Sequence, residues 1–204
     1  MVSPSPIVGL LLAGGASSRF GSDKLSHPLA DGTPLALASA RHLQAACDRV
    51  IVVLRPGRDT LAQQLAAEGC EIVTTVESLH GMGYSLAAGV RAAADAPGWV
   101  VALADMPFIH TATHRRIAAA LETGASIVAP SHQGKRGHPV GFARHWYNQL
   151  ITLQGDEGAR AILAAVPQAV SLCEVNDPGI LQDVDKRKDL PRTDQDPSAP
   201  NHRR

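Results

Sequence analysis

The sequence predicts an α/β fold: a doubly wound, mostly parallel sheet with helices on both faces. Three observations carry that expectation. Short apolar runs alternate with segments whose apolar residues recur at helical spacing. The runs are continuous rather than alternating, which marks strands buried on both faces. Hydrophobic residues make up 45% of the chain and aromatics only 3%, so the core must be aliphatic.

The elements follow in order. Residues 7–13 form a first strand that runs into Gly14-Gly15. Residues 34–47 show helical spacing, with Pro34 suited to a first turn. Residues 49–54 are a Val/Ile run bounded by Pro56-Gly57, a buried strand. Asp59 is placed to cap a helix over 60–68, Gly69 ends it, and 71–76 is a third strand. Gly81-Met82-Gly83 opens a helix over 84–94. Pro97-Gly98 turns into a fourth strand, 99–104, which stops at Asp105-Met106-Pro107. Thr111 is placed to cap a helix ending at Glu122, and 125–130 is a fifth strand. Beyond it, 131–141 reads as a polar, glycine-rich loop, 142–150 and 156–165 as short helices, and 169–175 as a late strand. Residues 177–190 are acidic, then basic. Residues 191–204, proline-rich and polar, read as a disordered tail behind a single domain over 1–190.

The totals exclude several classes. Lys+Arg and Asp+Glu are both 19, so no net field exists to hold a nucleic acid or an anionic membrane, and neither is expected as a partner. Cys47, Cys70 and Cys173 are scattered and form no CxxC pair, which argues for buried thiols in a reducing cytoplasm. Residues 7–13 mimic a signal segment, but no Lys or Arg precedes them and Pro4 and Pro6 interrupt the approach. No apolar run reaches the length of a membrane span, and a cytoplasmic location is expected.

In a doubly wound sheet, ligands bind beyond the carboxyl ends of the strands. That rule collects residues 13–24, Arg55, 75–85, Asp105 and 131–138. A strand leading through a glycine-rich turn to a helix aims backbone N–H groups at an anion. Arg19 and Lys24 add positive charge there, and the stretch reads as a nucleoside triphosphate cradle. It is not a P-loop, because Phe20 stands where GxxxxGK[ST] needs glycine. A short-chain dehydrogenase turn would need glycine at Arg19 and a Tyr-x-x-x-Lys pair. Tyr84 and Tyr147 have Ala88 and Ile151 at that offset. Asp105 suits either a turn cap or a magnesium ligand. His110 and His114 have the spacing of a metal pair but lack the glutamate of HExxH. Tyr84, Trp99 and Trp146 read as packing residues.

Leu12-Ala-Gly-Gly-Ala-Ser-Ser-Arg19, with Lys24, resembles the opening of nucleotidyltransferases that load a nucleotide onto a phosphorylated acceptor. His80-Gly-Met-Gly-Tyr-Ser-Leu-Ala-Ala-Gly89 is similar to the EGMGSSLxAG segment of molybdenum cofactor cytidylyltransferases. Leu103-Ala-Asp-Met-Pro107 is similar to their LGDMP, and Arg136-Gly-His-Pro-Val140 to RGHPV. Gly155-Asp-Glu-Gly-Ala-Arg160 resembles GDxGAR, and Asp183-Val-Asp185 resembles the start of DVDTPEDL. The resemblance runs in order over about residues 7–190. It departs at Thr75-Val76, where Asn-Pro is common, and at His80, which replaces Glu. It departs again at Ala104, which replaces Gly, and at Lys186-Arg187, which replace Thr-Pro. The double glycine of the loop is more typical of the guanylyltransferase branch.

The resemblance implies transfer of CMP, or GMP, from a nucleoside triphosphate to the terminal phosphate of molybdenum cofactor, with Mg2+ and release of pyrophosphate. CTP is favoured over GTP. A molybdoenzyme chaperone or the recipient enzyme would be the protein partner. Arg19 would clamp the β- and γ-phosphates, Lys24 would meet the α-phosphate, and Asp105 with Asp185 would hold the metal. Asp183 lies on the same side of an extended piece and stays an alternative to Asp185. Nucleotide contacts are expected from Leu12, Ala13, Gly14, Gly15, Ser17, Ser18, Lys24, Glu77, Met82, Gly83 and Ser85. Lys135, Arg136, Gly137 and His138 are expected at the acceptor. Other readings stay open: a sugar-phosphate nucleotidyltransferase, or a non-catalytic nucleotide- or cofactor-binding module.

Overall fold

The computed structural model describes residues 6–15, 20 and 23–190. The expected tail, 191–204, lies outside the described residues. β1 (Val8–Ala13) is an interior strand of the sheet, flanked by β2 (Arg49–Leu54) and β4 (Gly98–Leu103), both parallel to it. β3 (Glu71–Thr74) adds outside β2, again parallel. The chain thus runs outward from β1 to β3 on one side, then crosses to β4 on the other. The crevice at this reversal opens at the carboxyl ends of β1 and β4.

The other half of the sheet is mixed. β5 (Ile127–His132) runs parallel to β4 but does not touch it, because β7 (Val140–Ala143) is inserted antiparallel between them. β6 (Lys135–Arg136) and β7 form one returning strand on the same edge of β5, broken at residues 137–139. β8 (Val170–Glu174) pairs parallel with the other edge of β5. Two expectations are corrected here. Residues 131–141 are not a free loop, and the expected helix over 142–150 begins only at Arg144: Val140, Gly141 and Phe142 are buried strand residues, while a 3-10 turn over Arg144–Trp146 leads into α5 (Tyr147–Leu150). Phe142, Trp146 and Leu150 do recur at helical spacing. A partner on each side of β7 overrides it, a contact that no local pattern records.

Strand residues alternate between two aliphatic layers. Leu11, Ala13, Val52, Leu54, Val100 and Ala102 pack beneath α1 (Leu35–Gln44), α2 (Asp59–Ala67) and α4 (Thr111–Glu122). Val8, Leu10, Leu12, Ile51, Val53 and Val101 face α3 (Met82–Ala92), α5 and α6 (Arg160–Ala165). The expected helix over 156–165 begins only at Arg160, because Gly155 and Gly158 take positive φ of 68° and 54°. Two expected caps also fail. Asp59 is the first residue of α2, behind Arg58, and accepts no capping bond. Thr111 opens α4 uncapped by its own side chain; buried Asp177 serves instead, accepting from the His110 N–H at 2.9 Å and the Thr113 hydroxyl at 2.6 Å. No helix among the described residues is long and apolar enough to cross a membrane.

Candidate active site

β1 and β4 end together at the crevice. The Ala104 N–H donates to the Leu12 carbonyl at 3.1 Å, which places Asp105 beside the turn after β1. Strand pairing alone therefore brings Gly14-Gly15 and Asp105 to one cleft. That lobe, about 260 Å³, is lined by Leu12, Gly14, Gly15, Ser85 and Asp105, with Ser78, Leu79, Gly81, Met82, Leu103 and Asp156. Gly14 is required by close approach: a Cβ there would lie 2.7 Å from Ser85 Oγ and 2.9 Å from Ser78 Cβ. Gly15 faces open space.

Three expected site residues meet. Lys24 Nζ donates to Asp105 Oδ2 at 2.9 Å and to Asp185 Oδ1 at 3.2 Å. Asp185 is delivered by a C-terminal strap whose Val184 N–H donates to the Asp105 carbonyl at 2.9 Å. Asp183 instead lines an open depression with His110, Gln182 and Asp189. Burial works against the Lys24 ammonium, but the charge of Asp105, and then Asp185, outweighs it and holds its pKa above the ordinary value. One cation bridges the two carboxylates, which brings both to the same side chain at the edge of the cleft. An all-oxygen, two-carboxylate donor set suits a hard ion such as Mg2+ or Mn2+. The pair bears a charge of −2 against +1 for Lys24, which leaves a net attraction for one.

A second, larger lobe of about 520 Å³ shares Leu12, Met82, Leu103 and Asp156 with the first. Its floor is apolar: Leu86, Val101, Val140, Phe142 and Leu163. Its charges are Arg136, Arg160, Asp156 and Glu157. The break between β6 and β7 brings Gly137 and His138 into it, pinned by the His138 N–H donating to the Ile180 carbonyl at 3.0 Å. Burial lowers the His138 pKa, Asp105 opposes that, and Arg136 and Arg160 add to it; the ring is neutral near pH 7. Its buried Nδ1 has no hydrogen-bond partner among the described residues.

Other expected residues stand elsewhere. Ser17, Ser18 and Arg19 lie outside the described residues. Ala13 is buried, with its carbonyl turned to Arg58 rather than its N–H to the cleft. Gly83 packs on the Gln154 backbone, and exposed Glu77 gives its N–H to Thr75 Oγ1; neither lines the cleft. Lys135 alternates with Arg136 on β6 and does not line the second lobe. Lys24 touches the cleft only through Asp105. His114 is turned inward with Nδ1 on the His110 carbonyl at 3.2 Å, while His110 points outward beside Asp177. Sequence reasoning missed Arg58, and it collected Ser78 and Leu79 only within the stretch 75–85, without naming them. It quoted Asp156 and Arg160 within a motif but gave them no role, and a role for that motif was the signal available.

The chain matches the family model described as MobA-like NTP transferase domain over residues 9–170. It is 32% identical to the purine catabolism protein PucB of Bacillus subtilis, across 88% of this chain and 91% of that one. It is 30% identical to the nicotine blue oxidoreductase of Paenarthrobacter nicotinovorans, across 88% and 92%. A molybdenum cofactor guanylyltransferase of Burkholderia vietnamiensis is 39% identical, across 63% and 62%. Among solved structures, Rv0371c of Mycobacterium tuberculosis H37Rv superposes with a TM-score of 0.80 at 28% identity, covering 92% of this chain and 96% of that one. Its complex with manganese superposes at 0.75, with 28% identity and 91% and 96% coverage.

Proposed function

The chain belongs to the MobA-like NTP transferase family and is a nucleotidyltransferase of that type, and we propose that its acceptor is molybdenum cofactor. A terminal phosphate oxygen of the acceptor attacks the α-phosphorus of the triphosphate. The bond from that phosphorus to the β-bridging oxygen breaks, and pyrophosphate leaves. A phosphate monoester has a second pKa of about 6, so it is already largely ionised at neutral pH and needs no general base. The work left to the protein is positioning and charge neutralisation.

The observation that carries the reading is the convergence of Lys24 and Asp185 on Asp105, which lines the same lobe of the cleft as Gly14 and Gly15. The Gly14-Gly15 turn, with Ser85 and Met82, faces the triphosphate, and Arg19 clamps its outer phosphates. Asp105 and Asp185 would hold Mg2+, which would supply charge neutralisation on phosphate oxygens. Lys24, released from the carboxylates, turns to the α-phosphate. In the second lobe Arg136 and Arg160 suit an anionic group, and the apolar floor suits a flat ring system.

CMP transfer is the reading favoured by the run of motifs from His80 to Asp185. GMP transfer is the second reading, favoured by the double glycine of the loop and by the 39% identity to a guanylyltransferase. Pyrophosphate release with Mg2+, purified molybdenum cofactor and each triphosphate in turn decides between them. Turnover with CTP alone is expected. Turnover with GTP alone moves the protein to the second reading, and none with any triphosphate leaves a binding module.

A further inference from the structure

The turn after β1 is tied down by a side chain that no sequence pattern singles out. Arg58 stands at the start of α2 with only 3% of its side chain exposed. Its Nη1 donates to the Ala13 carbonyl at 3.2 Å and its Nη2 to the Gly15 carbonyl at 3.0 Å. The same Nη2 lies 3.0 Å from Asp23 Oδ1. Ala13 and Gly15 are where the chain leaves β1, and Asp23 directly precedes Lys24. One guanidinium thus grips both ends of the nucleotide loop, through the Ala13 and Gly15 carbonyls at one and the Asp23 carboxylate at the other.

A trans peptide is planar, with C=O and N–H on opposite sides. A carbonyl of Ala13 held on Arg58 therefore turns the Gly14 N–H away from the guanidinium. Gly14 and Gly15 line the cleft and Arg58 does not. Burial lowers the guanidinium's pKa, Asp23 opposes that, and neighbouring Arg55 adds to it, yet an arginine keeps its charge at any physiological pH. Turning the Ala13 and Gly15 carbonyls to Arg58 also takes from the cleft two groups that would repel phosphate oxygens.

We infer that Arg58 is a positioning residue for the triphosphate: it draws the loop carbonyls away from the cleft and leaves the loop N–H groups to the phosphates. The inference rests on the nucleotide-site reading given above. Arg58 touches no reacting atom and acts only through the loop. A side chain that merely anchored α2 would affect stability alike with or without ligand, and would not distinguish ligands by their phosphates.

The test compares wild type with Arg58→Met and Arg58→Lys. Calorimetry gives the affinities for CTP and GTP and for the matching nucleoside monophosphates, and hydrogen exchange follows the Gly14 and Gly15 amides without ligand. Loss of about tenfold or more in triphosphate affinity is expected, with monophosphate affinity within about twofold of wild type. Exchange at Gly14 and Gly15 should speed up. Arg58→Lys keeps the charge but cannot serve two carbonyls and a carboxylate from one plane, so it should lose triphosphate affinity too. If Arg58→Met fails to fold, Arg58→Lys and Asp23→Asn carry the test, the latter releasing only the far end of the loop. Equal losses for mono- and triphosphate, or unchanged affinity in folded variants, overturn the inference alone. A wild-type chain that takes no triphosphate overturns it together with the reading beneath it.

Discussion

Lys24 is the residue on which the site turns, and its neighbours define what a change there does. It neutralises half of the charge of Asp105 and Asp185 at 2.9 and 3.2 Å. Lys24→Ala should fold, since both carboxylates reach solvent, with 26% and 40% of their side chains exposed. Turnover should fall by about 10²–10³-fold, the usual cost of one preorganised donor to a developing charge. Steady-state pyrophosphate release checks it, and near-normal kcat in the folded variant would remove Lys24 from the chemistry. His114 makes a separate prediction, about stability. Burial pushes its pKa down from 6.5 to about 4; the His110 carbonyl opposes that, His42 adds to it and Asp177 opposes it. The folded state holds the ring neutral while the unfolded state takes up a proton. Its contribution is therefore full above pH 6.5 and is lost as pH falls toward 4, by up to about 3 kcal/mol. Urea midpoints between pH 7 and pH 4.5 should drop less for His114→Gln than for wild type.

At the scale of elements, the site depends on how closely its pieces approach one another. The end of β1 lies against the first turn of α3 at Gly14, with room for a hydrogen and none for a methyl. Gly14→Ala should push β1 and α3 apart at a cost of about 1–3 kcal/mol and weaken triphosphate binding, as thermal unfolding and calorimetry would measure. The start of α4 depends on Asp177, which accepts from the His110 N–H, the Thr113 hydroxyl and the Gly179 N–H. Asp177→Ala leaves those donors buried and unmet, and should lower the urea midpoint by the equivalent of about 2–3 kcal/mol. The expected Thr111 cap was a reasonable inference from neighbours along the chain. The cap that exists comes from more than sixty residues away, and helix-start signals hold no record of such a group.

Across the whole molecule, the sheet and the site are separable at the C-terminal strap. The strap contributes no strand, yet it seats buried Val184 and carries Asp185 to Lys24. A chain ending at residue 182 should keep the circular dichroism of the sheet. It should also lose Mn2+ affinity by about tenfold or more, together with turnover. Retained metal affinity in that truncation would move the metal away from Asp185. The zero net charge of the chain gives no global field, so the attraction for anions must be local, as at Arg136 and Arg160 in the second lobe.

The sequence by itself determined the layered α/β architecture and, by rule, a cleft at the carboxyl ends of its strands. Those follow from local periodicity and from the rule that ligands bind where a parallel sheet reverses its order. It also named Lys24, Asp105 and Asp185, because motif residues keep their identity wherever the chain takes them. Only the tertiary structure decided which of Asp183 and Asp185 reaches Lys24, that residues 140–143 are a strand between β4 and β5, and that Arg58 grips the loop. Each of these depends on a partner distant along the chain. Spacing within a segment reports the face a residue presents, and contact across segments is set only when the sheet has assembled.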